Sequence, residues 1–174
     1  MNRRMLLQTM ALLPLLPALR VLASSPENTP HMTDISFTPL DHAHDYWRDK
    51  VSADAWHILF EEGTEPAGSS PLDKIYEPGT YVCAACHLPL FLSDDKFDSK
   101  TGWPSFTQPI ADTMGTKRDY KLIWPRTEYH CARCGGHQGH VFNDGPPPRG
   151  ERWCNNGLAL RFIPAEQPLP ELRG

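Results

Sequence analysis

The sequence predicts a mainly β protein, mostly antiparallel, with an N-terminal helical portion, and two features support this. Five short runs typical of strands are separated by Gly, Pro, Asp or Asn, namely TYVCAAC, LPLFL, KLIW, HVF and LALRFI. The 174 residues also include 18 prolines and 12 glycines, which favour frequent turns over long helices. A chain of this length suits one domain with a substantial core.

The first 23 residues are typical of an export signal. A basic start, MNRR, precedes the apolar stretch MLLQTMALLPLLPAL and short residues before Ser24. Prolines interrupt this stretch, and it is shorter than the roughly 20 residues of a spanning helix, so we expect cleavage and no stable membrane insertion. Arg3 and Arg4 resemble a twin-arginine signal, which predicts a periplasmic protein. A mitochondrial transit peptide is the alternative, because no acidic residue precedes Glu27.

The next segments are an arm and a helix. Residues 24–42 contain Pro, Ser and Thr with little periodicity, so we expect a linker or loosely ordered arm. A helix is predicted from about residue 45 to 62, since its apolar residues fall mostly on one face. Ser52 can cap a second helical segment and Gly63 can end it. The main domain is expected at residues 43–165, followed by a C-terminal tail at 166–174.

The charge of the chain argues against nucleic acid as a partner. The formal net charge is −4, and removal of residues 1–23 takes away three arginines and no acidic residue. The cleaved chain is therefore more acidic still. Neither a polyanion nor an anionic membrane surface has an electrostatic reason to bind it.

Four of the five cysteines form two C-x-x-C motifs. Cys83 and Cys86 are separated by 44 residues from Cys131 and Cys134. Two such turns supply the four thiolates that a structural zinc ion prefers, and a closed site of this kind has no open position for catalysis. In an exported protein two disulfides are an alternative, and a redox dithiol is another.

The fifth cysteine, Cys154, has no cysteine near it in sequence. Arg152 would share its face of a strand and favour the thiolate, which is the reactive form. His137 and His140 precede it in a Gly-rich segment and could supply or take a proton. The alternatives are a small buried inert cysteine and two polar surface histidines.

Three segments resemble the methionine-R-sulfoxide reductase B family (MsrB), in the order that the family shows. They are GTYVCAACHLPLF, KFDSKTGWPSF and CARCGGHQGHVFNDGPPPRGERWCNNGLALRF, and the likeness covers about residues 52–162. The resemblance implies two antiparallel sheets in a small barrel-like fold, with one structural Zn²⁺ held by the four paired cysteines. It also implies that residues 43–165 form the catalytic domain, which we expect to be monomeric.

The resemblance further implies a role for each site residue. Cys154 would attack the sulfoxide sulfur and become a sulfenic acid. The other implied roles are proton transfer by His137 and His140, stabilisation of the thiolate by Arg152, contact with the substrate methyl group by Trp103, and shaping of the pocket by Asn156 and Asp144. The predicted activity is thus that of a peptide-methionine (R)-S-oxide reductase on oxidised proteins or peptides, serving to repair exported proteins.

The chain departs from the family pattern at several positions. Thr101 stands where many members have a resolving cysteine, so the sulfenic acid would need an external small thiol or a thioredoxin-like protein. Asn155 and Gly157 replace the usual aliphatic residue and serine, and Trp153 replaces a tyrosine. Two other functions stay open: a non-catalytic zinc-ribbon binding module, and an enzyme for another sulfoxide or a peroxide.

Overall fold

The computed structural model describes residues 35–121 and 124–174. The predicted export signal at residues 1–23, and residues 24–34 of the predicted arm, lie outside the described residues. In the described part the chain is mainly β, as predicted. Its helix is α1 (Ala53–Glu61), and its strands are β1 (Gly79–Cys83), β2 (Pro89–Leu92), β3 (Lys96–Phe97), β4 (Ser105–Phe106), β5 (Met114–Asp119), β6 (Arg126–Cys131), β7 (His137–Phe142), β8 (Arg152–Asn155) and β9 (Leu160–Pro164).

These strands form two antiparallel sheets, which confirms the predicted fold class. One sheet has the order β2-β1-β9, and the other has the order β3-β4-β8-β7-β6-β5. Strand β8 lies inside the larger sheet, so both of its neighbours can present side chains beside it. Ser105 of β4 and His140 of β7 both pair with Cys154 of β8. Because directly opposed residues of antiparallel strands share a face, these three side chains lie on one face of the sheet.

The predicted helix at about residues 45–62 is interrupted. A 3₁₀ turn covers His44–Trp47, and α1 starts only at Ala53. Ser52 separates the two, because it is extended and its Oγ accepts a hydrogen bond from Ala55 N at 3.2 Å, as an N-cap does. Ser52 thus caps a second segment, as predicted. None of the helices among the described residues has the length and apolar character needed to cross a membrane.

The strand predicted at KLIW is wrong. Lys121 and Trp124, its two described residues, lie in the loop between β5 and β6, and Trp124 is 80% exposed. The Asp119 carboxylate accepts a hydrogen bond from Lys121 N at 2.8 Å and so stabilises a turn there. The strands lie on either side, in the more polar segments MGTKRD and RTEYHC. The prediction relied on apolar content, but the strands of this hairpin carry charged side chains on one face. The apolar segment between them was therefore chosen wrongly.

An aromatic cluster fills the core. Phe91 and Phe106 stack with ring centroids 4.1 Å apart, and Tyr81 contacts Phe106 edge-on at 4.9 Å. All three are fully buried. The described part of the predicted arm, residues 35–42, forms neither helix nor strand but packs apolar side chains against this core, and Leu40 N donates to Arg133 O at 2.6 Å.

Removal of the Phe106 ring tests this description of the core. We expect Phe106→Ala to lower the free energy of unfolding by about 3–5 kcal/mol, because it removes a buried ring between two others. Tyr120→Ala, which truncates a largely exposed ring, serves as the control and should change it by less than about 0.5 kcal/mol. Urea unfolding measures both variants. A similar small loss in the two would contradict the packing described.

Candidate active site and metal centre

The two C-x-x-C motifs form turns of the same construction. In each turn the backbone N of the first cysteine donates to a carbonyl beyond the second, and the residue after the second cysteine donates back to the first. That following residue has a positive φ in both turns, which favours glycine. The hydrogen bonds are Cys83 N to Leu88 O, His87 N to Cys83 O, Cys131 N to Gly136 O, and Gly135 N to Cys131 O, at 2.8–3.0 Å.

These turns bring four sulfur atoms together in the interior. All four lie within 4.8 Å of one another and are buried. Sγ of Cys83 is 3.7 Å from that of Cys134, and Sγ of Cys86 is 3.5 Å from that of Cys131. A disulfide would need about 2.05 Å. A tetrahedron with bonds of about 2.3 Å has edges of about 3.8 Å, so the four sulfurs fit one metal ion.

The buried cluster needs a cation if its thiols are to ionise together. Burial raises the pKa of the Cys131 thiol well above its ordinary value, since a thiolate there lacks water. A bound dication reverses this penalty and leaves the thiols deprotonated. The donor set is sulfur only and is closed by the protein, which is the arrangement of a structural metal site.

The C-terminal tail binds directly to the first turn. Arg173 donates to three successive carbonyls, from its backbone N to Cys86 O at 3.0 Å, from Nε to Ala85 O at 2.7 Å and from Nη2 to Ala84 O at 2.6 Å. The Arg133 guanidinium donates to Cys86 O and to Arg173 O. Two positive side chains therefore lie beside a centre that carries a net negative charge when four thiolates bind a dication.

Cys154 lies apart from this centre, at a small cavity of about 110 Å³. Its side chain is only partly buried, so a small molecule in the cavity can reach the sulfur. The cavity combines two aromatic rings with several polar groups, which suits a substrate that has an apolar end and a polar oxygen. Its lining residues are Thr64, Trp103, Arg126, Gly139, His140, Phe142, Cys154, Asn155 and Asn156.

The surroundings of Cys154 act on its acidity in opposite directions. Burial raises the pKa of the Cys154 thiol above its ordinary value, while Arg152, Ser105 and Thr101 favour the thiolate. Arg152 therefore acts in the predicted direction, but burial has the larger effect. In the free protein at neutral pH this cysteine is mainly a thiol. The hydroxyl groups of Ser105 and Thr101 that act on the sulfur are themselves connected, since each lies 2.8 Å from Ser99 Oγ.

Arg152 and Asp144 form a pair beside the cavity rather than in its wall. Arg152 Nε and Nη2 donate to the two carboxylate oxygens of Asp144 at 2.8 and 2.9 Å, and the guanidinium lies over the Phe142 ring at 4.4 Å. This pairing holds the pKa of Asp144 below its ordinary value. Asp144 is mostly exposed, so it affects the cavity only by holding the Arg152 side chain in place.

The two predicted histidines differ in position. His140 lines the cavity, and its Nε2 is 2.8 Å from Asp119 Oδ2. His137 lies behind it, only 2% exposed, with its ring centroid 5.4 Å from that of His140 and its Nδ1 3.0 Å from Glu128 Oε1. Burial lowers the pKa of both histidines below the ordinary value, so both are neutral at pH 7.

Asp119 and Arg126 were not among the predicted site residues, although both belong to this face. Burial opposes ionisation of Asp119, but hydrogen bonds from Lys121 N, His140 and Arg126 outweigh it and hold its pKa well below the usual range. A carboxylate there fixes the orientation of the His140 ring. These residues lie on the strands that the apolar pattern missed, and only the strand register reveals them.

The two unusual residues after Cys154 have structural explanations. Asn155 is buried and satisfied, since Tyr129 Oη donates to its Oδ1 at 2.8 Å and its Nδ2 donates to Asn156 O at 2.8 Å. Gly157 has no room for a side chain, because an added Cβ would come within 1.9 Å of Ser70 Oγ. The polar groups around these two positions therefore suit an asparagine at position 155 and a glycine at position 157.

Trp103 and Asn156 are joined by a residue that the sequence did not single out. Trp103 Nε1 donates to Glu65 O at 3.1 Å, and Glu65 N donates to Asn156 Oδ1 at 3.1 Å. Glu65 lies in a Pro- and Gly-containing loop, 91 positions before Asn156. Such a loop has no periodic pattern from which a buried carboxylate could be recognised.

The fold and the site define a mainly β protein with a buried four-cysteine cluster that can hold a metal ion and one separate, reachable cysteine, a class that includes thiol-dependent redox enzymes. The SelR domain family matches residues 51–164. The peptide methionine sulfoxide reductase MsrB of Agrobacterium fabrum is 46% identical over 134 residues, which are 76% of this chain and 99% of that protein. The enzyme of the same name from Leptospira interrogans is 48% identical over 117 residues, which are 67% of this chain and 89% of that protein. The one from Azotobacter vinelandii is 45% identical over 129 residues, which are 74% of this chain and 97% of that protein. The chain belongs to this family, the SelR domain or MsrB family.

The acidity of Cys154 can be measured by alkylation of the folded, metal-loaded protein. We expect its rate of reaction with iodoacetamide to rise with pH from 7 to beyond 9, because burial keeps it a thiol at neutral pH. Arg152→Met should slow labelling at pH 7.5 about tenfold, the effect of roughly one pKa unit. Arg161→Met, which removes an exposed arginine elsewhere, is the matched control. A pH-independent rate, or no labelling before unfolding, would contradict this description.

Proposed function

We propose that this protein is a peptide-methionine (R)-S-oxide reductase with Cys154 as its nucleophile. Membership of the MsrB family supports the activity. The observation that carries the assignment to Cys154 is its position: it is the only one of the five cysteines outside the four-sulfur cluster, and it opens onto the cavity. A binding module with purely structural thiols would need neither the cavity nor a reachable sulfur.

The chemistry is a two-electron transfer between sulfur atoms. The Cys154 thiolate attacks the sulfoxide sulfur while the sulfoxide oxygen takes up a proton. The oxygen is then transferred to Cys154 as the substrate leaves as a thioether. Cys154 becomes a sulfenic acid and is oxidised by two electrons, and the methionine sulfoxide is reduced by two.

The cavity walls suit the two ends of this substrate. Trp103 and Phe142 offer aromatic surface to the methyl group and sulfur. His140 stands directly opposite Cys154, and its Nε2–H donates to the Asp119 carboxylate, which leaves Nδ1 as the acceptor nitrogen of the neutral imidazole. Nδ1 can take the proton that leaves the Cys154 thiol and pass it to the sulfoxide oxygen. Asp119 orients the His140 ring, while the buried His137 supports it from behind. In this proposal His140 touches the substrate and His137 acts through it.

Recovery of the free thiol needs a reductant from outside. The other four cysteines are held together in the cluster, so none is placed to form a disulfide with Cys154. A first external thiol would condense with the sulfenic acid and release water, and a second would reduce the mixed disulfide. A small thiol or a thioredoxin-like protein would fill this role.

We also propose that the four-sulfur cluster holds one structural Zn²⁺, on the strength of its donor set and its tetrahedral spacing. When bound, this ion would join the two cysteine turns and supply no open coordination position to the reaction. The basic and apolar composition of residues 1–23 supports export to the periplasm as a further proposal, with oxidised exported proteins as substrates.

Replacement of Cys154 tests the assignment. We expect Cys154→Ser to abolish reduction of N-acetyl-methionine-R-sulfoxide while zinc content and unfolding midpoint stay those of the wild type. The wild-type protein should reduce the R epimer and leave the S epimer unchanged. Turnover by chromatography and metal by mass spectrometry, on one sample, decide both points. Activity retained in the variant, or lost together with zinc, would show that Cys154 has another role.

The role of Arg173 at the metal centre can be tested by zinc release. We expect Arg173→Ala to lower zinc affinity about 10- to 100-fold, in the range found for supporting residues of metal sites. Competition with a chromophoric chelator measures this affinity without reference to activity. Arg118→Ala, an exposed arginine of β5, is the control. Equal affinity in all three proteins would show that the tail does not support the site.

A further inference from the structure

Glu65 is a buried carboxylate outside the residues assigned to the reaction. It is 3% exposed, and neither of its carboxylate oxygens forms an ion pair with a residue that the structure describes. A buried charge without a counter-charge is costly unless hydrogen bonds compensate for it. We propose that Glu65 is a positioning residue that fixes Trp103 and Asn156 around Cys154. The proposal rests on the function proposed above.

The carboxylate of Glu65 holds the segment that follows β8. Gly157 N donates to its Oε1 at 2.7 Å, and Leu158 N donates to its Oε2 at 2.9 Å. Both N–H groups belong to the first residues of the 3₁₀ turn Gly157–Ala159, where they have no partner within the turn. Both oxygens are therefore used, and the backbone directly after Asn156 is held in place.

The backbone of Glu65 holds the other two groups. Its N–H donates to Asn156 Oδ1, and its carbonyl accepts from Trp103 Nε1, both at 3.1 Å. Trp103 lies in the loop before β4 and has no strand partner of its own. Its indole is consequently oriented by this hydrogen bond rather than by the sheet register. One residue thus connects two walls of the cavity through four hydrogen bonds.

This arrangement separates substrate positioning from the acidity of the nucleophile. The groups that act on the Cys154 thiol are Arg152, Ser105 and Thr101, and the hydrogen bonds of Glu65 reach none of them. Loss of one of its acceptor oxygens should therefore loosen the Glu65 loop and displace the indole that its carbonyl holds, without changing the reactivity of the free cysteine. A displacement of about 1 Å in a catalytic site can cost about 100-fold in rate.

Glu65→Gln is the informative variant, because it keeps the size of the side chain but offers only one acceptor oxygen. We expect kcat/KM for N-acetyl-methionine-R-sulfoxide to fall at least tenfold, mostly through KM, while iodoacetamide labels Cys154 at the wild-type rate. Asp73→Asn is the matched control: it replaces another buried carboxylate, outside the cavity, and should leave kcat/KM within about twofold.

A double-mutant cycle with Trp103→Phe shows whether Glu65 acts through the indole. If it does, the two losses are strongly non-additive, so Glu65→Gln costs little once the indole N–H is gone. Additive losses, slower labelling of Cys154, or an equal effect of Asp73→Asn would reduce Glu65 to a general structural role and overturn the proposal.

Hydrogen exchange of the Trp103 indole N–H provides a readout that needs no turnover. Its NMR signal is assigned by its absence in Trp103→Phe, and it should exchange faster with solvent in Glu65→Gln than in the wild type or in Asp73→Asn. Unchanged exchange would overturn the proposal even in an active enzyme. A wild-type protein that reduces neither epimer would instead refute the proposed function, and the exchange rates would still decide whether Glu65 orients Trp103.

Discussion

The packing of four cysteine sulfurs in the interior is the constraint on which the rest of the structure depends. Cys83 ends β1 of the smaller sheet, and Cys131 ends β6 of the larger one, so the cluster joins the two sheets. Four thiolates at this spacing repel one another unless a cation lies between them. In the function that we propose, the cluster also keeps four sulfurs out of the redox reaction, which leaves Cys154 as the sulfur that meets the substrate.

The register of the larger sheet brings the polar groups of the site next to one another. A row of directly opposed residues crosses five strands, in the order Lys117, Glu128, His140, Cys154 and Ser105. Cys154, the nucleophile that we propose, thus has a neutral imidazole on one side and a hydroxyl group on the other. Rigid strands hold these groups, whereas the Trp103 indole comes from a loop. We infer from this difference that the indole needs a support of its own, which the backbone carbonyl of Glu65 in a neighbouring loop can provide.

The sequence could predict what depends on local pattern. The paired cysteines, the lone Cys154, the cap at Ser52 and most strands are readable because turn chemistry and spacing are local properties. The strand at KLIW was predicted wrongly, since its two described residues, Lys121 and Trp124, lie in a loop while more polar segments pair beside it. Contacts across large separations, such as Glu65 with Asn156 or Gly157 with Ser70, follow from the register of the folded chain and leave no periodic trace.

The central claim is that four cysteine sulfurs have a structural role and that Cys154 alone reacts. Peptide mass spectrometry of the folded, zinc-loaded protein tests this claim most directly. After one equivalent of a methionine-R-sulfoxide peptide without reductant, and trapping of sulfenic acid with dimedone, the account predicts one adduct, on Cys154 alone. The other four cysteines should be recovered as unmodified thiols once the metal is removed. An adduct or disulfide at any of those four, with Cys154 untouched, would contradict the account.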